Sequence, residues 1–242
     1  MLLIMRKQIL LLLLTILTLP VCAQNNLRSV VELTNDTSAW PLLLEDIKTA
    51  KNKIEVLPAS NGKDALYQTQ VTTHSYMGAV IYFTGGILVD NGWIRILGSG
   101  SEKLKRSLPG WNKGKSFNEL GEQPPFLLIA DDADGGLFAI NGGKFGTDLG
   151  KIYYLAPERL KWEALHIGYT EFLNFCWYGD MNQFYDSLRW KGWQEDLKKV
   201  SGDQAFNFYP YLWTTEGKDV NKVTRTVVPM QEAYDFRIES IK

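Results

Sequence analysis

The stretch FLLIADDADGGLFAINGG, residues 126–143, sets three aspartates and four glycines between two apolar runs. Carboxylates at that density suggest a metal loop, and glycines suggest a phosphate cradle. A calcium loop of the EF-hand type takes oxygens at alternating positions and closes with a glutamate at the twelfth. Counted from Asp131 or Asp132, the twelfth residue is Gly142 or Gly143, so the closing ligand is missing. A Walker loop runs through Gly-Lys-Ser/Thr into a helix, whereas a strand-like run follows here. What remains is a tight turn between FLLIA and GLFAI, in which aspartates accept backbone N–H bonds and Gly135 or Gly136 supplies a positive φ.

A second cluster, RILGSGSEKLKRSLPGWN at residues 95–112, places Gly98-Ser99-Gly100-Ser101 beside Lys103, Lys105 and Arg106. Glycine admits close backbone approach and the cations compensate charge, so this segment can hold an anion or a partner. A solvated connection is the competing reading. Trp111, Trp190 and Trp193 lie among charged or glycine-rich neighbours, and exposed Trp together with Arg is the composition of interaction hot spots. The candidate partner-binding set is therefore Arg95, Ser99, Arg106, Trp111, Trp190 and Trp193, with core packing as the alternative for each indole.

Other chemistry is poorly represented. The two histidines, His74 and His166, lack the His-Glu-x-x-His spacing of a zinc site. No Gly-x-Ser-x-Gly elbow marks a serine nucleophile. Cys176, between Phe175 and Trp177, reads as a buried thiol, with a dyad to His166 or His74 as the alternative, since such partners meet in space. The residues designate no catalytic group, no metal and no cofactor.

The elements around these residues are legible. Pro41 follows Asp36, Thr37 and Ser38, and Trp40, Leu43, Leu44 and Ile47 share a face, which predicts a helix. KIEVLP (53–58) predicts a strand and GKDALYQTQ a short helix. From Gly78 the runs GAVIYFTGG, ILVDNG, WIRILG, PFLLIAD, GLFAINGG, KIYYLAP and KWEAL predict strands joined by tight turns. Asp90-Asn91-Gly92 is the clearest hairpin signal. Residues 99–125 form the one long polar connection, of a length often associated with function. After Gly168 the pattern turns helical: TEFLNFCWYG, then a longer helix from 180 to 200 capped by Asp180 with a possible break at Gly192. AFNFYPYLW predicts an edge strand, and the tail a helix with Pro229 at its first position. The sum is an α+β fold in one domain, mostly antiparallel sheet with helices on one face.

Residues 1–23 predict a cleaved export signal: Arg6 and Lys7, an apolar run from Ile9 to Leu19, and Val21-Cys22-Ala23 before Gln24. The apolar run is well short of the ~20 residues that span a bilayer, and Val21 is bulky for the position before a lipidated cysteine. Cleavage leaves Cys176 as the one cysteine, so the core alone must stabilise residues 24–242. It also leaves 24 Lys and Arg against 27 Asp and Glu. A mildly acidic chain without a basic stripe argues against a nucleic-acid partner. The expectation is an exported protein, periplasmic or extracellular, that meets the membrane only during export.

VTTHSYMGAVIYFTGGILVDNGWIRILGSGS, SLPGWN, LLIADDADGGLFAINGG and FYDSLRWKGWQEDLKKVSGDQAFNFYPYLW together resemble the bacterial domain-of-unknown-function 2625 family over nearly the whole mature chain. That resemblance implies no activity and no catalytic residues. More distantly, LLIADDADGGLFAIN followed by KIYYLAPE and YTEFLNFCW is similar to the Smi1/Knr4 (SUKH) superfamily. It implies an α+β fold and, through its bacterial members, an immunity protein that neutralises a toxin. Two functional expectations follow: a non-enzymatic protein-binding module, or an envelope hydrolase or carbohydrate-active enzyme using a carboxylate pair.

Overall fold

Six short runs rich in β-branched and aliphatic residues, and a seventh strand of two residues, pair with their neighbours in chain order. They are β1 (Ile54–Pro58), β2 (Thr84–Val89), β3 (Ile94–Leu97), β4 (Phe126–Asp132), β5 (Leu137–Asn141), β6 (Ile152–Leu155) and β7 (Glu163–Ala164), all antiparallel. The computed structural model describes residues 27–241; the segment expected to be an export signal and Cys22 lie outside the described residues. The turn between β2 and β3 has φ of 49°, 63° and 89° at Asp90, Asn91 and Gly92, the left-handed conformations that Asn and Gly tolerate. Because Val89 pairs with Ile94, the turn carries four residues rather than the two that Asn-Gly suggests.

Helices fill the spaces between strands: α1 (Val30–Leu33), α2 (Trp40–Lys48), α3 (Gly62–Thr69), α4 (Tyr76–Phe83), α5 (Leu108–Asn112), α6 (Tyr169–Tyr178), α7 (Met181–Phe184), α8 (Trp193–Leu197) and α9 (Met230–Ser240). Two expectations are corrected. GAVIYF is helical, not a strand: Ser75 Oγ accepts from Gly78 N at 3.0 Å and starts α4. Gly78, Ala79, Val80 and Ile81 are all buried, and a helix apolar all round has the same one-dimensional pattern as a buried strand. The long helix expected over 180–200 is two short ones. Asp180 caps the first, accepting from Asn182 N and Gln183 N at 3.0 Å, while Gly192 at φ 87° precedes the second. Among the described residues no helix is long and apolar enough to cross a membrane.

The last third adds a separate two-stranded antiparallel ribbon, β8 (Gln204–Tyr209) with β9 (Thr224–Pro229). AFNFYPYLW thus contributes a strand as expected, and its partner TRTVVP was not foreseen. The two faces of the seven-stranded sheet follow from strand alternation. Ile96, Ala130, Phe138 and Tyr154 are in register across β3–β6, and Phe138 meets Phe172 of α6 at 5.0 Å. Arg95 and Asp131 lie on the opposite face, where Arg95 reaches Gln204 O of β8 and the Met230 sulfur of α9. All four β3 residues are buried, since α6 covers one face and the ribbon with α9 covers the other. The result is an α+β domain around an antiparallel sheet.

The connection over 99–125 is ordered by its own side chains. Leu104, Leu108 and Trp111 enter the core. The Asn112 amide donates to Leu128 O and accepts from Leu128 N, both at 2.8 Å, so one side chain completes the backbone pairing of β4 as a strand residue would.

Candidate functional site

The candidate residues of the sequence divide into two buried assemblies. In the first, Arg95 stands directly across the sheet from Asp131. Its Nε donates to Asp131 Oδ1 at 2.6 Å, Nη1 to Gln204 O at 2.9 Å and Nη2 to Asp132 O at 2.7 Å. Arg106 closes on the same carboxylate, with Nη1 donating to Asp131 Oδ2 at 2.5 Å and Nη2 to Gly202 O at 2.7 Å. Arg106 Nε then donates to Asp203 Oδ1 at 3.2 Å, and Asp203 Oδ2 accepts from Lys105 N at 2.9 Å. Arg95 and Asp131 are 1% and 0% exposed. Two arginines around fully desolvated carboxylate oxygens make charge-assisted bonds at their strongest, and here they clamp β3, β4, the long connection and the start of β8 together. Ser99 is also buried, its hydroxyl donating to Thr84 O at 2.8 Å.

The second assembly is aromatic. Trp93, Trp190, Trp193 and Tyr185 converge, with Trp93 centroids 4.9 Å from Trp193 and 5.5 Å from Tyr185. Arg189 lies over Trp93 and Trp193 at 4.7 and 4.1 Å and its guanidinium bonds Asp90 at 2.5 Å. Arg225 lies over Trp190 at 4.6 Å. The expectation that Trp190 and Trp193 offer an exposed partner surface is therefore corrected: they are 2% and 8% exposed, because apolar neighbours and guanidinium faces occupy the rings. Arg95 and Ser99 are likewise corrected to internal positions.

Arg106 and Trp111 alone of the set reach a depression. They line an open groove of about 620 Å³ together with Glu102, Lys105, Gln204, Pro229 and Gln231. The Trp111 ring is itself 5% exposed, because Lys115 sits over it at 3.9 Å, Arg106 at 4.6 Å, and Tyr234 packs edge-on at 5.7 Å. Burial of the Lys115 ammonium lowers its pKa.

The acidic turn resolves as a turn. Asp132 Oδ1 accepts from Asp134 N at 3.0 Å and Gly136 N at 2.8 Å, and Gly135 takes φ 79°. Gly136 is required for space, since a Cβ there would stand 2.3 Å from Asp132 Oδ2. Oδ2 accepts from the Tyr154 hydroxyl at 2.5 Å and the Tyr185 hydroxyl at 3.3 Å. Burial raises the pKa of Asp132, while the Tyr154 and Gly136 bonds pull the other way. Asp134 is pushed well up by burial and then by Asp132, and neither of its carboxylate oxygens has a hydrogen-bond partner. Among the described residues no group of three or more His, Cys, Asp or Glu is arranged to hold a metal. Cys176 is fully buried and burial pushes its thiol far up. His74, one of the two histidines weighed as its partner, instead contacts Thr37 O through Nδ1 at 3.0 Å.

The model of the family described as "Protein of unknown function DUF2625" matches residues 30–233. The chain belongs to this family. Similar relatives include the uncharacterized protein YbfG of Escherichia coli (strain K12), 42% identical over 216 residues, which span 88% of this chain and 97% of that one. An uncharacterized protein of Haemophilus influenzae (strain ATCC 51907 / DSM 11121 / KW20 / Rd) is 45% identical over 205 residues, 84% of this chain and 86% of its own. The DUF2625 match takes in both buried assemblies and the ribbon.

One surface feature of this family member had no counterpart among the candidate residues. Met230 N donates to Asp203 O, and Phe206 N donates away from the ribbon to Ala133 O at 2.7 Å. Antiparallel pairs alternate between bonded and non-bonded, so the bonded pairs of the ribbon are Ala205–Val228, Asn207–Thr226 and Tyr209–Thr224. The N–H and C=O groups of Arg225 and Val227 consequently point outward from β9. Among the described residues no backbone group pairs with them. Val227 is 40% exposed and Thr224, Thr226 and Pro229 are exposed. The alternating β-branched residues of TRTVVP were the available signal.

Proposed function

We propose that this chain is an exported, non-enzymatic protein-binding module that recognises an extended segment of its partner along β9. The unpaired outer edge of β9 carries this reading. A strand edge with outward N–H and C=O groups is completed by another main chain, and addition of a partner strand is a recurrent mode of recognition. Thr224, Thr226 and Val227 favour extended pairing. Pro229 ends the edge beside the groove of Arg106 and Trp111, so a strand continuing past it would meet a cation–aromatic surface. The immunity role implied by the SUKH resemblance is one form of such binding, directed at a toxin that acts outside the cytoplasm.

The test is affinity capture from envelope extract of the native host, using residues 24–242 and two variants. Val227→Pro removes an outward N–H without removing a ribbon bond, and Trp111→Ala alters the groove. A stoichiometric partner held by the wild type and lost from a folded Val227→Pro variant supports the reading. A partner retained equally by Val227→Pro contradicts it, and loss from Trp111→Ala alone moves recognition to the groove.

A further inference from the structure

A hollow of about 300 Å³ lies between the C-terminal end of α3 and the loop before β4. Its apolar lining comes from Val71, Leu108, Pro109, Phe117 and Leu127, and its charged lining residues are Glu119 and Glu122. No Lys, Arg or His lines it among the described residues. Both glutamates are exposed. Glu122 Oε2 accepts from Asn118 N at 2.7 Å, which fixes that carboxylate on the loop, and among the described residues Glu119 makes no ion pair.

Thr69 and Gln70, which close α3, form the remaining wall. The carbonyls there are occupied: Gln70 Nε2 donates to Tyr67 O at 2.7 Å. Arg28 Nη2 donates to Gln70 O at 2.6 Å, from outside the hollow. An apolar interior whose charged lining residues are two glutamates selects by two criteria at once, hydrophobic contact and positive charge.

We propose that this hollow is a binding site for a small organic cation with an apolar body, an alkyl- or aralkylammonium. The ammonium sits at the rim between Glu119 and Glu122, and the hydrocarbon packs on the half-buried Val71, Phe117 and Leu127. The volume is at the lower end of small-ligand sites, which suits a body of one ring. The site is independent of the β9 edge, and its ligand binds whether or not a protein partner does.

Calorimetry and ligand-observed NMR on residues 24–242 at pH 7 test the assignment, with phenethylammonium as probe and 3-phenylpropanoate as the control of similar body and opposite charge. Saturable binding of phenethylammonium is expected, with the anion at least about tenfold weaker, the ratio that one well-placed charge supplies. The double variant Glu119→Gln, Glu122→Gln keeps hydrogen-bonding capacity at exposed positions and should weaken the cation by about tenfold without moving the thermal midpoint. Leu108 is fully buried, so the apolar wall is tested at Phe117 by Phe117→Ser, which should weaken both probes. No saturable binding of the cation, equal binding of both probes, or undiminished cation binding by the double variant overturns the proposal.

Discussion

Replacing Asp131 with asparagine perturbs the central clamp while changing almost no volume. The carboxylate takes Arg95 Nε at 2.6 Å and Arg106 Nη1 at 2.5 Å, with its own side chain and that of Arg95 at 0% and 1% exposure. The amide keeps one acceptor oxygen and turns N–H donors toward a guanidinium. Each charge-assisted bond of this kind contributes about 1.5–3 kcal/mol, and breaking a buried pair from one side typically costs about 3–5 kcal/mol because the other charge is left uncompensated. For a chain of this size a urea m-value of about 3 kcal/mol per M converts that cost into a midpoint lowered by about 1–1.7 M. The assay is equilibrium urea unfolding followed by tryptophan fluorescence, with Glu45→Gln as control. Glu45 pairs with Lys48 at 65–69% exposure, where an ion pair contributes little. A fall for Asp131→Asn of under about 0.3 M, comparable with the control, would refute the reasoning that the two arginines are clamped by this carboxylate.

Three further outcomes follow from the same geometry. Asn112→Ala leaves Leu128 N–H and C=O without the amide that pairs them and should lower stability by about 2–6 kcal/mol in the urea assay, since each of the two orphaned groups costs about 1–3 kcal/mol. Gly136→Ala drives a methyl against Asp132 Oδ2 and the Tyr154 hydroxyl at 2.3 and 2.7 Å and should cost about 1–3 kcal/mol, with the fluorescence of the folded state unchanged in form. Asp134, its pKa raised by burial and by Asp132, holds a proton in the folded state at pH values where the unfolded chain has lost it. Its stabilising contribution is therefore full below its unfolded pKa of about 3.9 and is lost as pH rises toward the folded value, with a slope of at most about 1.4 kcal/mol per pH unit. Asp134→Asn should flatten the stability profile above pH 4, and an unchanged slope between pH 4 and 8 would count against the assignment.

The sequence carried the sheet but not its second face. Strand runs such as WIRILG and PFLLIAD were legible because they are short runs of β-branched, aromatic and aliphatic residues between turn formers. GAVIYF misled because a helix apolar on every side has no polar stripe to reveal its period. The clamp was half visible: Arg95, Arg106 and the acidic turn each stood out locally. Their convergence did not, because Asp203 is 97 residues from Arg106 and only the packing of β8 on β4 brings it near. The tryptophans illustrate the opposite error. Charged neighbours in sequence suggested exposure for Trp190 and Trp193, yet Arg189 and Arg225 lie over the rings and bury them. The β9 edge escaped notice because TRTVVP is short and ends in proline. Its meaning depends on which N–H groups face outward, a matter of register rather than composition.

Amide hydrogen exchange resolved by residue tests the β9 account most directly, first on the free chain and then on the complex isolated by capture. In the free chain the amides of Thr226 and Val228, bonded to β8, should exchange slowly, while those of Arg225 and Val227 exchange at rates near those of exposed backbone. In the complex Arg225 and Val227 should become protected, with Thr226 and Val228 little changed. Fast exchange at Val227 that persists in the complex, or slow exchange there in the free monomer, would contradict recognition through this edge.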